Sequence, residues 1–160
     1  MFTNFEIMRK TPDDVIKFFF LQKTITLRRR KELKGFIERL IKKEGYKADA
    51  INYVFCSDKF LLDINRRYLK HDYYTDIITF RLSEKRKPIQ AEIYISLDRV
   101  RDNAAILGQS ITKELHRVIF HGALHLCGYK DKTRSQTKLM RDKENEYLTR
   151  YGLVSRDTVS

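Results

Sequence analysis

Thr112-Lys113-Glu114-Leu115-His116-Arg117-Val118-Ile119-Phe120-His121-Gly122-Ala123-Leu124-His125-Leu126 is the stretch on which the reading of this chain turns. Leu115, Val118, Ile119 and Leu126 recur at helical spacing, so the segment is a helix whose apolar stripe must pack on a sheet. His121 and His125 differ by only about 40° around that helix, and both rings can reach one ion from one face. Gly128 follows where a left-handed cap is easiest, and the chain can then double back to present Asp131 as a third ligand. Two imidazoles and one carboxylate leave coordination positions open, which suits one catalytic Zn2+ per chain better than a closed structural site. His116 lies about half a turn away and reads as a surface or helix-packing histidine. Cys127 points to another face than His125 and reads as a buried apolar cysteine rather than a thiolate ligand.

Outward from this helix, extended and helical patterns alternate. Val15 to Leu21 and Thr24 to Leu27 are rich in β-branched and aromatic residues and are expected to be extended. From Arg28 to Glu44 the positions Leu33, Phe36, Ile37, Leu40 and Ile41 form the stripe of an amphipathic helix, ended by Gly45. Its outer face carries Arg28, Arg29, Arg30, Lys31, Lys34, Arg39, Lys42 and Lys43. That face is either simply solvated or a contact to an RNA backbone. Ile51 to Cys56 reads as a strand, Asp58 as the N-cap of a helix over Lys59 to Tyr68, Thr75 to Arg81 and Ala91 to Ser96 as further strands, and Ser83 to Pro88 as a turn. Helices are expected from Leu97 to Leu107 and from Thr112 to Leu126, and a last one carries Leu139, Met140, Lys143, Tyr147 and Leu148. This pattern predicts an α/β (α+β) fold: a small mixed sheet packed with about five helices, with the metal site at the end of a core helix. Residues 1–14 read as a loose N-terminal extension, 15–154 as a single domain and 155–160 as a polar tail.

Composition narrows the function. A hydrophobic fraction of 42% with only two prolines and six glycines excludes a disordered or low-complexity chain. The formal charge of +12, from 33 Lys+Arg against 21 Asp+Glu, favours a polyanionic partner, with nucleic acid foremost. Two cysteines make no disulfide framework and fit a reducing cytoplasm. No apolar run approaches the roughly 18 residues needed to span a membrane, and the amino terminus lacks a signal-peptide pattern, so a cytoplasmic protein is expected.

The spacing His-x3-His, Gly, Asp equals that of metzincin proteases, yet Gly122 stands where those enzymes need a glutamate to take the water proton. Peptide hydrolysis by that route is therefore disfavoured. The residues instead resemble the YbeY family of bacterial ribosomal-RNA maturation endoribonucleases. His121-Gly122-Ala123-Leu124-His125-Leu126-Cys127-Gly128-Tyr129 is similar to the signature His-Gly-x-Leu-His-Leu-x-Gly-Tyr-Asp-His. Asn65 to Phe80 resembles the family's Asn-x-x-Tyr-Arg-x-Lys-Asp-x-Pro-Thr-Asp-Val-Leu-Ser-Phe, and Ala91 to Ser96 its Gly-Asp-Ile-x-Ile-Ser.

This resemblance implies a metal-dependent endoribonuclease that prefers single strands and acts in 16S 3′-end maturation and in ribosome assembly or quality control. Its partners would be ribosomal RNA and ribosomal or assembly particles, with no membrane. The family's third histidine falls on Asp131, an adequate oxygen donor for zinc. The family's arginine, thought to aid cleavage, falls on Leu69, so Lys70 or His71 is the candidate to replace it, and Arg66, Arg67 and Lys70 are candidates for RNA contact. The Leu69 departure also motivates the alternative of a non-catalytic RNA-binding assembly factor with a structural metal.

Overall fold

The structure is a computed structural model that describes residues 14–154; the expected tail at 155–160 and all but the last residue of the expected extension lie outside it. Its elements are β1 (Ile16–Phe20), α1 (Arg30–Lys43), β2 (Ala48–Cys56), α2 (Asp58–Leu69), β3 (Ile77–Arg81), β4 (Ile89–Ser96), α3 (Leu97–Leu107), α4 (Ile111–Leu126) and α5 (Arg134–Tyr151). The four strands form one sheet in the order β1-β2-β4-β3. β1, β2 and β4 are parallel, and β3 folds back antiparallel on β4. The expected mixed sheet with five helices is what the chain forms.

Strand alternation sends side chains to two cores. Ile51, Tyr53 and Phe55 of β2 and Ala91, Ile93 and Ile95 of β4 face the larger core, with α1, α3, α4 and α5. Val54, Cys56 and Tyr94 face the smaller one, covered by Leu61 and Ile64 of α2. The central strands are thus buried on both faces, as parallel strands are when helices cover the sheet.

α4 lies unusually close to the sheet, and Gly122 is the reason. A Cβ built there would stand 3.0 Å from Cδ1 of Ile77 and 3.1 Å from Cγ2 of Ile93. The hydroxyl of the fully buried Tyr53 reaches up from β2 and donates to the carbonyl of Ile119 at 2.9 Å, tying the same helix down. A glutamate at this position would thus be crowded against Ile77 and Ile93, a steric ground beside the chemical one for the glycine found here.

Two local expectations need correction, and the structure chooses between the two readings of His116. Thr24 to Leu27 form no strand: past Phe20 the amides of Leu21 and Gln22 both bond to the carbonyl of Phe55, and β2 ends one residue later, so no partner remains. The cap of α2 is Ser57, whose hydroxyl accepts from the amide of Phe60, because the Asp58 carboxylate is occupied by Arg99 of α3 at 3.0 Å. His116 is buried, bonded through Nδ1 to the carbonyl of Thr112 and stacked on Tyr151 with ring centroids 5.3 Å apart. It is the packing histidine, not a surface one.

Gly122→Val should overpack this seam. The expected loss is about 1–3 kcal/mol of stability, read as a lowered midpoint in denaturant with an unchanged m-value; an unchanged midpoint would show that helix and sheet can part at no cost.

Candidate metal centre and cleft

At the end of α4 the two histidine rings stand edge to face, with centroids 4.5 Å apart. Nε2 of His121 and Nε2 of His125 each lie 3.3 Å from the same oxygen, Oδ2 of Asp131. Gly128, at φ 93°, ends the helix in the left-handed region and turns the chain back. Asp131 is then held at its carbonyl by the hydroxyl of Thr137 at 3.0 Å, at the start of α5. The three residues read from the sequence therefore do converge, with one ligand atom from each within 4.8 Å of the others. Cys127 is no part of the set: it is buried, and burial pushes its thiol up to about 12.

The opposite nitrogen of each ring decides what the cluster can do. Nδ1 of His121 donates to Oε2 of Glu144 on α5 at 2.8 Å, and Nδ1 of His125 donates to the carbonyl of Tyr129 at 2.9 Å. Both partners only accept, so a neutral ring carries its hydrogen on Nδ1 and presents the Nε2 lone pair inward. With both rings neutral, two nitrogen lone pairs and a carboxylate oxygen face one point with no hydrogen among them. Such a set is repulsive without a cation and complementary to one, and outward Nδ1–H bonds of this kind are the usual support of a metal-binding histidine. The residues fit a divalent metal.

Each support is anchored further back. Oε1 of Glu144 accepts from Nη1 of Arg117 at 2.9 Å, and Arg117 makes a fork to Glu114, all three side chains being nearly or fully buried. Burial alone would raise the Glu144 carboxyl, but the bond from His121 and the charge of Arg117 outweigh it and hold it below the usual carboxylate range. The hydroxyls of Tyr129 and Tyr147 both donate to Glu44 at the end of α1 at 2.5 Å, which fixes the residue whose carbonyl holds His125. Glu114, Arg117 and Glu144 escaped the sequence reading. The available signal was the recurrence of polar residues at 114, 117, 121 and 125, a charged stripe running to the histidines along one side of the helix.

The histidines open into a cleft of about 1250 Å³. Its lining includes Arg81 at the end of β3, Lys85 and Arg86 from the β3–β4 turn, Lys132 just before α5 and Arg141 within it, and Leu69, His71 and Tyr73. Asp76 lines it too; burial raises its carboxyl against the pull of His121 and Arg117. Arg66 and Arg67 do not line it: Arg66 pairs with Asp72 at 2.5 Å and Arg67 with Asp63 at 3.2 Å on the exposed side of α2. Lys70 is an exposed helix cap outside the lining, whereas His71 is inside it. The basic face of α1 is partly spent on the fold itself, with Lys34 on Asp14 at 3.4 Å and Arg30 over the ring of Phe20 at 4.3 Å.

Comparison with known proteins identifies the family. The family model "Endoribonuclease YbeY" matches residues 15–152. The chain is 50% identical over 133 residues to the endoribonuclease YbeY of Cytophaga hutchinsonii, covering 82% of this chain and 93% of that protein. It is 42% identical over 130 residues to the one of Christiangramia forsetii, covering 81% and 90%. A Thermotoga maritima protein solved in solution has a TM-score of 0.59 at 28% identity, over 85% of this chain and 91% of its own.

Glu144→Gln is the sharpest test of the supporting network. Arg117 can only donate, so the amide oxygen of the substituted side chain stays with Arg117 and its NH2 faces His121. Nδ1 of His121 must then accept, and its hydrogen moves to Nε2, where the ligand lone pair was. Nitrogen NMR of the metal-free protein should show His121, and not His125, change tautomer. Zinc affinity should fall about 10–100-fold. An unchanged His121 tautomer would sink this account of the site.

Proposed function

Since the chain belongs to the endoribonuclease YbeY family, we propose that it is a zinc-dependent endoribonuclease of ribosomal-RNA maturation that works in the cytoplasm on single-stranded segments of assembling ribosomal particles. The observation that carries the metal dependence is the convergence of the two Nε2 lone pairs and Asp131 on one point. His121, His125 and Asp131 would hold the ion. When bound, a divalent ion supplies Lewis acidity toward a phosphoryl oxygen or makes a nucleophile of water at neutral pH.

The protein's own residues do the rest. Lys85, Arg86 and Lys132 are exposed in the cleft and set to hold successive phosphates. The guanidinium of Arg81 donates to the carbonyls of Ser83, Glu84 and Lys87, so it shapes the turn that presents Lys85 and Arg86. Buried Glu144 and the carbonyl of Tyr129 keep the ligand lone pairs aimed inward. Unpaired strands are favoured because a phosphodiester must reach ligands recessed in a cleft, which a stacked duplex resists. No helix among the described residues is long and apolar enough to cross a membrane.

One observation favours a second reading. Leu69 stands in the cleft without the charge that the resemblance leads one to expect there, as it would in an assembly factor that binds RNA around a structural ion. Purified protein assayed on single-stranded RNA, on structured RNA and on casein, before and after chelation, separates the readings. We expect cleavage of RNA, preferentially single-stranded, lost on chelation and absent in His121→Ala and His125→Ala, with casein untouched. Chelation-sensitive RNA binding without cleavage would instead support the assembly factor.

The cleft cations give a quantitative expectation. Each phosphate contact on a single strand contributes a slope of about −0.7 in log affinity against log salt. Lys85→Glu with Arg86→Glu should weaken RNA binding and flatten that slope by about 1.4, from two contacts. Arg66→Glu with Arg67→Glu should leave the slope nearly unchanged; the reverse result would move the RNA path to the outer side of α2.

A further inference from the structure

Leu69, His71 and Tyr73 bring apolar and aromatic surface into the cleft that holds the histidines, and nothing at the metal centre uses it. Tyr73 is 56% exposed and Leu69 38%. Their loop is nonetheless firmly built. Lys70, at φ 57°, turns the chain out of α2, and the amide of His71 bonds back to the carbonyl of Asn65 at 3.1 Å. The buried side chain of Asn65 donates to the carbonyl of Tyr73 at 2.8 Å. Arg66 braces the loop from outside through Asp72. The hydroxyl of Tyr73 bonds to Nδ1 of His71 at 3.0 Å, and the two rings lie 5.2 Å apart at 20°, nearly parallel.

We propose that this ring pair, with Leu69 beside it, is a stacking platform for one unpaired nucleobase of the RNA, next to the phosphate path. The proposal rests on the endoribonuclease reading and gives it a selection rule. A ligand that offers phosphates to Lys85 and Arg86 and a flat apolar face to Tyr73 in one cleft has the chemistry of a nucleotide. Stacking on an aromatic ring is available to every base, so it gives little sequence preference. It does require the base face to be free, which excludes a paired strand. The rings are already fixed by bonds within the loop, so little ordering remains to oppose binding. Leu69 then has a use of its own: an apolar wall for the base where the resemblance leads one to expect a cation.

The test measures binding of a single-stranded octaribonucleotide in EDTA, so that metal-dependent cleavage is off. The intact octamer is compared with a series carrying an abasic ribose at each position in turn. Tyr73→Ala should bind the intact octamer about tenfold more weakly, within the range found when stacking aromatics are truncated. Tyr73→Phe, which keeps the ring, should recover most of that loss. At one abasic position the parent should weaken by a similar factor and Tyr73→Ala no further. A 2-aminopurine placed there should be quenched by the parent and not by Tyr73→Ala. Equal affinity of parent and Tyr73→Ala for the intact octamer would overturn the platform, as would a Tyr73→Ala loss that persists at every abasic position. Failure of the parent to bind the octamer, or to cleave any RNA with metal restored, would overturn the endoribonuclease reading itself.

Discussion

The carboxylate of Glu144, almost wholly buried, takes hydrogen bonds from Arg117 and His121 at once, with Arg141 beside it at 3.3 Å, and the metal centre depends on that. Arg117 and His121 both lie on α4, whereas Glu144 comes from α5. The bond to His121 sets which ring nitrogen keeps its lone pair; the bond to Arg117 fixes which carboxylate oxygen faces the ring. An ion network out of water costs several kcal/mol per uncompensated charge. Arg117 with Glu114 on one side and Glu144 on the other leaves none of them unpaired. The packing of α5 on α4 is thereby specified by electrostatics as well as by apolar area, and the geometry of the site follows from the geometry of the core.

The sheet enters through Gly122. Because the backbone of α4 lies against Ile77 and Ile93, the helix is positioned at short range, and the histidines emerge beside β3. The same strand runs into the turn that carries Lys85 and Arg86, and on its other side the chain arrives from the Leu69–Tyr73 loop. One close contact thus places ligand atoms, phosphate-binding cations and aromatic rings around a single cleft. Tyr53, donating from β2 to the carbonyl of Ile119, holds the contact from below.

Much of this was legible in the residues. The metal ligands are local: His121, His125 and Asp131 are linked by helix period and one glycine turn, so their convergence depends on nothing distant. β2 and β4 were legible because β-branched and aromatic residues dominate them. Thr24 to Leu27 misled because β propensity is realised only where a neighbouring strand offers bonds, and β2 stops at Cys56. Asp58 and Ser57 are adjacent residues of equal capping chemistry, and Arg99, forty-one positions on, decided between them. Arg66 and Arg67 lie outside the cleft on the exposed side of α2, beside Asp72 and Asp63, a placement that charge alone does not reveal.

The sequence by itself determined the mixed sheet with five helices, the family, and the three atoms able to hold an ion, since these rest on periodicity and on contacts within a few residues. Only the tertiary structure decided which carboxylate aims His121, which cations share the cleft, and that Leu69, His71 and Tyr73 line the same cleft as the histidines. Those depend on side chains 20 to 90 positions apart meeting across packed elements, as Glu144 meets His121 and Tyr129 meets Glu44. Charge composition has no direction; a fold gives it one.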